Sequence, residues 1–158
     1  MKYCSNCGSR VEFRIPAGDS LPRYICPVCH TIHYQNPKIV VGCIPEMQGK
    51  ILLCRRAIEP GYGLWTLPAG FMENAEAADA GAARETLEEA CARVDIGQLY
   101  AFYNLPALSQ VYLLFRGTLK DSDFCAGEET LEVGLFSENE VPWNQIAFSV
   151  VKQTLQYY

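Results

Sequence analysis

Residues 73–89 read E-N-A-E-A-A-D-A-G-A-A-R-E-T-L-E-E, and this acidic, alanine-rich stretch decides how the rest of the chain is interpreted. It holds six acids and one arginine, so its net charge of −5 equals that of the whole 158-residue chain. Positions i, i+3 and i+4 of a helix share one face, which brings Glu85, Glu88 and Glu89 together. Arg84 lies four residues before Glu88 and can pair with it. The pattern predicts a helix that carries a carboxylate cluster.

Such a cluster is either a solvated helix face or a cation site, and its surroundings favour the cation site. The many alanines allow the other side of the helix to pack closely against a sheet. The apolar, turn-rich stretch W-T-L-P-A-G-F at residues 65–71 directly precedes the acids. Because Mg²⁺ prefers carboxylate and water oxygens, carboxylates on a buried helix after a strand and a loop fit a magnesium site.

The spacing of the charged residues also matches a known signature. The chain contains the leading glycine and every fixed charged position of G-x5-E-x7-R-E-U-x-E-E-x-G-U, namely Gly70, Glu76, Arg84, Glu85, Glu88 and Glu89. In this respect it resembles the Nudix hydrolases. Three positions depart: Thr86 stands where an aliphatic residue is usual, Cys91 replaces the late glycine, and Ala92 is small for the last apolar position. These departures affect helix packing and helix termination, and they leave the carboxylates intact.

The resemblance implies hydrolysis of a nucleoside diphosphate linked to another group, with Mg²⁺ or Mn²⁺ as the catalytic cation. The implied site consists of the metal ligands Glu85, Glu88 and Glu89, the backbone carbonyl of Gly70, Arg84 as the residue that orients the cluster, and Glu76 as support for the helix or the metal. Such a cation offsets the repulsion between the carboxylates and an anionic diphosphate. It also polarises the phosphoryl oxygens and lowers the pKa of a bound water.

The general base and the phosphate contacts are predicted around this helix. In the family the base is a glutamate of the signature helix or of a later loop, and the acidic loop of residues 121–129 makes Glu129 our candidate. Glu128 and Glu132 are alternatives, and a solvated acidic loop is the competing interpretation. Arg55 and Arg56 end a predicted strand, where a guanidinium either binds phosphate bidentately or stays solvated.

Two C-x-x-C pairs predict a zinc ribbon near the N-terminus. They are separated by 18 residues: Cys4-x-x-Cys7 and Cys26-x-x-Cys29. Four thiolates form a closed structural site, and Zn²⁺ must supply folding free energy that so short a segment cannot obtain from a core. Disulfides or a redox-active C-x-x-C are the alternatives. We expect His30 and His33 outside the ligand shell, with His33 in a packing or linker role.

The order of elements predicts an α/β fold in two domains. Asn36-Pro37 marks the boundary, so we expect a zinc ribbon in residues 1–35 and a Nudix hydrolase domain in residues 36–158. Strands are predicted at 38–44, 51–56, 98–104, 110–117 and 132–136, with the acidic helix among them and an amphipathic helix at 149–158. This order favours a mixed sheet between helices. The resemblance implies the Nudix α/β/α sandwich, preceded by a small β zinc ribbon.

Composition and charge narrow the classes of protein to which the chain can belong. The chain is 49% hydrophobic and 20% charged, and it lacks the apolar run of about 18 residues that a membrane span requires. Its negative charge argues against a broad surface for nucleic acid. The first residues resemble neither a signal peptide nor a transit peptide, so we expect the cytoplasm, where cysteines stay reduced. Similar enzymes are commonly dimers, so a homodimer is left open.

Two subfamilies join a zinc ribbon to a Nudix domain, and the sequence favours one of them. NADH pyrophosphatases usually carry S-Q-P-W-P-F-P-x-S after the signature, and only Ser109-Gln110 of that motif is present here. The chain is very similar to the compact family of FAD and ADP-ribose pyrophosphatases. The similarity includes C-S-N-C-G at residues 4–8, I-C-P-V-C-H at 25–30, and Y-G-L-W-T-L-P-A-G-F at 62–71.

We therefore expect FAD or ADP-ribose as the substrate, cleaved to AMP plus FMN or ribose 5-phosphate. Four aromatic residues are either core residues or stacking partners of an adenine or flavin: Tyr62, Phe71, Tyr103 and Tyr112. One alternative is an NADH or NAD-cap pyrophosphatase. An alternative of another class is a non-catalytic module that binds a nucleotide or a protein.

Overall fold

The computed structural model describes residues 1–158, which form two compact units, Met1–Pro37 and Lys38–Tyr158. The smaller unit contains a three-stranded antiparallel sheet of β1 (Glu12–Arg14), β2 (Arg23–Ile25) and β3 (Ile32–His33). In each C-x-x-C turn a backbone N–H returns to the first cysteine: Gly8 donates to Cys4 O, and His30 donates to Cys26 O. The two-residue strand β3 is too short to be predicted from alternation of apolar residues.

The larger unit is built on a seven-stranded mixed sheet. Its strands are β4 (Lys38–Met47), β5 (Lys50–Arg56), β6 (Trp65–Thr66), β7 (Ala69–Phe71), β8 (Val94–Leu105), β9 (Gln110–Leu119) and β10 (Thr130–Phe136). The main path runs β10-β5-β4-β9-β8, while β6 pairs with β5 and β7 pairs with β4. Only β4 and β9 run parallel; the other pairs are antiparallel.

Two helices cover opposite faces of this sheet. Helix α1 (Ala78–Ala90) packs through Ala82 against Val41 and Cys43 of β4. Helix α2 (Ser149–Tyr157) packs against Ile44, the next residue along the same strand. Since successive side chains of a strand point to opposite faces, the helices lie on opposite sides. The predicted α/β/α sandwich is confirmed. Neither helix has the length and apolar character needed to cross a bilayer.

The strands extend further than the sequence predicts. Strand β8 begins at Val94, where a start at residue 98 was expected, and its pairing with β9 shifts register between Ile96 and Ala101. Such bulges interrupt the alternation on which strand prediction depends. Strand β10 begins at Thr130, ahead of the expected residue 132, and it pairs with the end of β5.

The three departures from the signature have local structural explanations. The Thr86 hydroxyl donates to Ala82 O at 2.8 Å and lies 3.1 Å from Cys43 Sγ, so a polar residue is satisfied on the buried helix face. Cys91 ends α1 with φ 51° and ψ 17°, the left-handed conformation that glycine adopts most readily. Ala92 is 2% exposed and packs in the core cluster that contains Leu52 and Leu119.

Candidate active site

A cavity of about 820 Å³ opens in the larger unit beside α1. One wall is acidic, formed by Glu85, Glu88, Glu89, Glu128 and Glu129. The other is mainly apolar, formed by Val40, Phe71, Leu108, Tyr112 and Phe148, with Arg56 contributing a positive charge. This size falls within the range of about 300–1,000 Å³ typical of small-molecule sites.

Glu85 and Glu89 lie one helical turn apart on the buried face of α1, and their carboxylates lie against strand β7. The backbone N–H of Ala69 donates to Glu89 Oε2 at 3.3 Å. A Cβ at Gly70 would overlap the Glu85 carboxylate, so the first glycine of the signature is needed for close approach. Gly70 thus brings backbone and carboxylate together at one end of the cavity.

Burial makes these two carboxyl groups difficult to ionise without a nearby cation. The pKa of Glu89 is raised to about 8, mainly by desolvation; the charges of Glu85 and Glu129 add to the rise, while the Ala69 N–H and the Arg56 charge oppose it. Desolvation likewise raises the pKa of Glu85, although its contact with Arg84 opposes the shift. The negative charge of Glu129 acts on both residues, so all three carboxylates share one electrostatic environment.

Arg84 connects the other charged residues of the signature. Its guanidinium donates five hydrogen bonds: two to Glu76, and one each to Glu85, Glu88 and the Phe71 carbonyl. The two bonds to Glu76, at 2.8 and 3.1 Å, form a bidentate pair that lowers the pKa of Glu76. Glu76 lies before the helix and does not line the cavity, and its carboxylate contacts Arg84.

Glu88 is placed differently from its two partners. Its side chain is 59% exposed and is held by Arg84 at 3.0 Å, whereas the Glu85 side chain is only 11% exposed. The three glutamates do not form a compact ligand group in the structure. The helix therefore places Glu85 and Glu89 together on its buried face, and it places Glu88 at the solvent-exposed side of the same cavity.

The later acidic loop reaches this cavity through Glu128 and Glu129 but not through Glu132. Glu132 lies on β10 and pairs with Arg55 at 3.4 Å. The backbone carbonyl of Glu129 accepts the Ala57 N–H at 2.8 Å, which joins the end of the loop to the chain that follows β5. Of the three glutamates weighed as a base, Glu129 is the one whose charge reaches Glu85 and Glu89.

Only one of the two predicted phosphate-binding arginines lines the cavity. Arg56 donates through Nε to Pro60 O at 2.8 Å and lies over the Phe148 ring, 5.1 Å from its centroid. Arg55 does not line the cavity, and its guanidinium contacts Gly63 O and Glu132. Neighbouring residues of a strand point to opposite faces, so only one of the two can face the site.

The aromatic residues also divide between the cavity and other surroundings. Phe71 and Tyr112 line the cavity, and Lys38 Nζ lies 4.4 Å from the Phe71 ring centroid. Tyr103 packs against the core cluster beside α2, and Tyr62 is exposed outside the cavity. The sequence did not predict Phe148 as a cavity residue. It directly precedes α2, and only the fold brings it next to Arg56.

The smaller unit holds a second candidate metal centre. The ligand atoms of its four cysteines, Cys4, Cys7, Cys26 and Cys29, all lie within 4.8 Å of one another. A closed set of four sulfur ligands fits tetrahedral Zn²⁺. His33 was expected to be a packing or linker residue; its Nε2 lies 3.3 Å from Cys4 Sγ, which makes it a hydrogen-bond partner of a ligand.

Comparison with known proteins agrees with both parts of the chain. Residues 2–35 match the zinc-ribbon family described as Nudix N-terminal, and residues 36–154 match the NUDIX domain. An ADP-ribose pyrophosphatase of Methanocaldococcus jannaschii is 31% identical over 133 residues, which cover 78% of this chain and 75% of that protein.

Solved structures give the same result for the fold. A NUDIX hydrolase from Nitrosomonas europaea is 66% identical, with a TM-score of 0.97 over 100% of this chain and 90% of that chain. An ADP-ribose pyrophosphatase from Streptococcus suis shares the fold at 22% identity, with a TM-score of 0.62 over 77% of this chain and 91% of that chain.

The fold, the acidic cavity and the comparisons together define a pyrophosphohydrolase of α/β fold. The chain belongs to the Nudix hydrolase family, with a Nudix zinc ribbon in residues 2–35. The predictions of family, fold class and enzyme class are thereby confirmed.

Proposed function

We propose that the protein hydrolyses the diphosphate bond of ADP-ribose or FAD in a reaction that depends on Mg²⁺ or Mn²⁺. The observation that carries this proposal is the convergence of three groups in one cavity: the buried carboxylates of α1, Arg56, and an apolar wall with three aromatic rings. The relative named ADP-ribose pyrophosphatase supports the substrate class. Residues 1–35 serve as a folding appendage held by zinc, and residues 36–158 carry the reaction in a reducing cytoplasm.

The donor set of the acidic wall fits a hard divalent cation. Glu85 and Glu89 are buried carboxylates that lack a cationic partner of their own apart from one bond to Arg84. We assign them as ligands together with Glu88 and the Gly70 carbonyl, because oxygen donors of this kind suit Mg²⁺ and Mn²⁺. When bound, the cation would polarise the diphosphate and lower the pKa of the attacking water.

The remaining residues bind the substrate and move the proton. Arg56 offers a guanidinium to the diphosphate, and Phe71 and Tyr112 offer aromatic faces to a planar base. Glu129 accepts the proton of the attacking water, since it lies on the acidic wall and none of its contacts is an ion pair with an arginine or lysine. Water adds to one phosphorus, and the bond between that phosphorus and the bridging oxygen breaks. The products are AMP plus ribose 5-phosphate, or AMP plus FMN.

The test is release of AMP from four substrates, ADP-ribose, FAD, NADH and an NAD-capped RNA, with and without Mg²⁺. We expect release from ADP-ribose or FAD that requires the cation. Release confined to NADH or capped RNA would contradict the substrate assignment. No release from any of the four would favour a binding module. A measurement of turnover for Arg56→Ala against Arg55→Ala then separates the cavity arginine from its neighbour, with a raised KM expected for Arg56→Ala only.

A further inference from the structure

We propose that Gly127 is a positioning residue, which lets the turn that carries Glu129 dock against the carboxyl end of α1. This inference rests on the proposed function, in which Glu129 accepts a proton. Gly127 itself does not line the cavity, and it lies outside the signature stretch. Its effect on the reaction is indirect and depends on where the backbone of residues 127–130 is held.

The acidic loop of residues 121–129 contacts the carboxyl end of α1 through two backbone hydrogen bonds. The N–H of Cys125 donates to Ala90 O at 2.9 Å, and the N–H of Gly127 donates to Glu89 O at 3.0 Å. The last carbonyls of a helix have no partner within the helix and need donors from elsewhere. The loop supplies two such donors, so the end of α1 and the loop stabilise each other directly beneath the proposed ligand Glu89.

A turn follows this contact along the chain and carries Glu129. The N–H of Thr130 donates to Gly127 O at 3.1 Å, which closes a four-residue turn with Glu128 and Glu129 at its centre. On the far side, Glu129 O accepts the Ala57 N–H. The backbone of Glu129 is therefore held from two directions, by Gly127 on the helix and by Ala57 after β5.

The close contact between the loop and α1 requires glycine at position 127. A Cβ at residue 127 would overlap the Glu88 carbonyl oxygen, and it would lie 2.9 Å from the Glu88 carbonyl carbon and 3.2 Å from that of Glu89. These are backbone atoms of a packed helix, which cannot rotate away as a flexible side chain can. The φ of Gly127 is not in the positive region, so the position needs glycine for space and not for conformation.

An alanine at this position must therefore move the turn away from α1. Phe71 and Tyr112 lie on other strands, and although Arg56 pairs with Thr130 through the backbone, its guanidinium is held by Pro60 O and the Phe148 ring, so substrate binding should change less than kcat. The Glu129 carboxylate, in contrast, moves relative to Glu85 and Glu89. A displacement of about 1 Å in a reacting group can lower the rate by about 100-fold. We expect Gly127→Ala to lower kcat by between about 10-fold and 100-fold, with KM nearly unchanged.

The experiment is a double-mutant cycle on the full chain with Mg²⁺ and the substrate that the wild type hydrolyses. It compares wild type, Gly127→Ala, Glu129→Gln and the double variant, with Gly97→Ala as the control. A Cβ at Gly97 meets Arg116 O at 3.4 Å, an ordinary contact distant from the cavity. If Gly127 acts through Glu129, its substitution should cost little further kcat once Glu129 is already glutamine. A purely structural role would lower kcat by the same factor in both backgrounds.

Thermal unfolding checks that each variant is folded. If Gly127→Ala does not fold, Cys125→Pro removes the other N–H that the loop donates to α1, and the same split between kcat and KM is expected. Wild-type kcat in the folded loop variant would overturn the inference, as would multiplicative effects in the double variant or full activity of Glu129→Gln. A wild-type chain without any turnover would refute the proposed function, and the inference with it.

Discussion

Arg84 shows how one residue can fix the geometry of a whole site. All five of its hydrogen bonds go to protein groups, so its guanidinium is not available to a substrate. The bidentate bond to Glu76 fixes the plane of the guanidinium, and the remaining donors then fix Glu85 and Glu88. A lysine could not reproduce this arrangement, because an ammonium group has no planar fork of donors. These contacts support the proposed role of Arg84, which is to orient the carboxylates.

The Glu76–Arg84 pair predicts a pH-dependent stability. Arg84 lowers the pKa of Glu76 from its ordinary value of 4.5, so the pair contributes stability above about pH 4.5. That contribution is lost as the pH falls through the lowered pKa. We expect Glu76→Gln to lower the Tm at pH 7, with the difference from wild type shrinking as the pH falls below 4.5 and through the lowered pKa. It should also lower kcat by about tenfold, since Arg84 loses the partner that fixes it.

Thermal unfolding across this pH range, followed by circular dichroism, checks the prediction. Glu12→Gln is the matched control, because Glu12 also pairs with an arginine but both side chains are exposed in the smaller unit. A Glu76→Gln variant with the same Tm as wild type at pH 7 would show that the pair contributes no stability.

At the scale of single elements, α1 ends in a conformation that its own sequence does not favour. Cys91 adopts φ 51° at a position where the signature usually has glycine. A residue with a side chain pays roughly 1–2 kcal/mol in the left-handed region, whereas glycine does not. We expect Cys91→Gly to raise the free energy of unfolding by about 1 kcal/mol. Cys91→Ala, which removes the thiol but keeps the Cβ, should give no such gain, and equal stabilities in urea unfolding would contradict the interpretation.

The zinc ribbon is an element whose fold should depend on its metal. Cys26 is fully buried and belongs to the four-sulfur cluster, while Cys125 is an exposed cysteine outside it. We expect Cys26→Ser to lose bound Zn²⁺ and the dispersed NMR signals of residues 1–37, because so small a unit relies on the metal for folding free energy. Cys125→Ser should retain one Zn²⁺ per chain by atomic absorption. Wild-type zinc content in Cys26→Ser would rule out the four-cysteine site.

At the scale of the whole molecule, the sequence predicted the features that depend on local patterns, and it did not predict those that depend on long-range contacts. The acidic helix, the hairpin of β4 and β5 and the helix α2 could all be predicted, because periodicity and turn residues are properties of neighbouring positions. The choice between Arg55 and Arg56 could not be made, since it depends on which face of β5 borders the cavity. Gly127 and Phe148 were missed for the same reason. Each lies far along the chain from the group that it contacts, and no local spacing connects the two.

The cavity combines residues of the signature helix with residues of other elements. The signature helix is shared by the family and fixes the reaction class, because it supplies carboxylates for a cation. Selectivity must come from residues on other elements, such as Arg56 at the end of β5 and Tyr112 on β9. The fold brings these elements together because β4 pairs with both β5 and β9 at the centre of the sheet.

In the proposed mechanism, buried carboxylates of α1 hold a divalent cation that the reaction requires. AMP release as a function of Mg²⁺ concentration for wild type, Glu89→Gln and Glu132→Gln tests this requirement. Loss of a ligand removes several kcal/mol of transition-state stabilisation, so we predict that Glu89→Gln lowers kcat by about 100-fold or more. Glu132→Gln, outside the cavity, should behave as wild type. A folded Glu89→Gln variant with wild-type turnover and the same Mg²⁺ dependence would contradict the account.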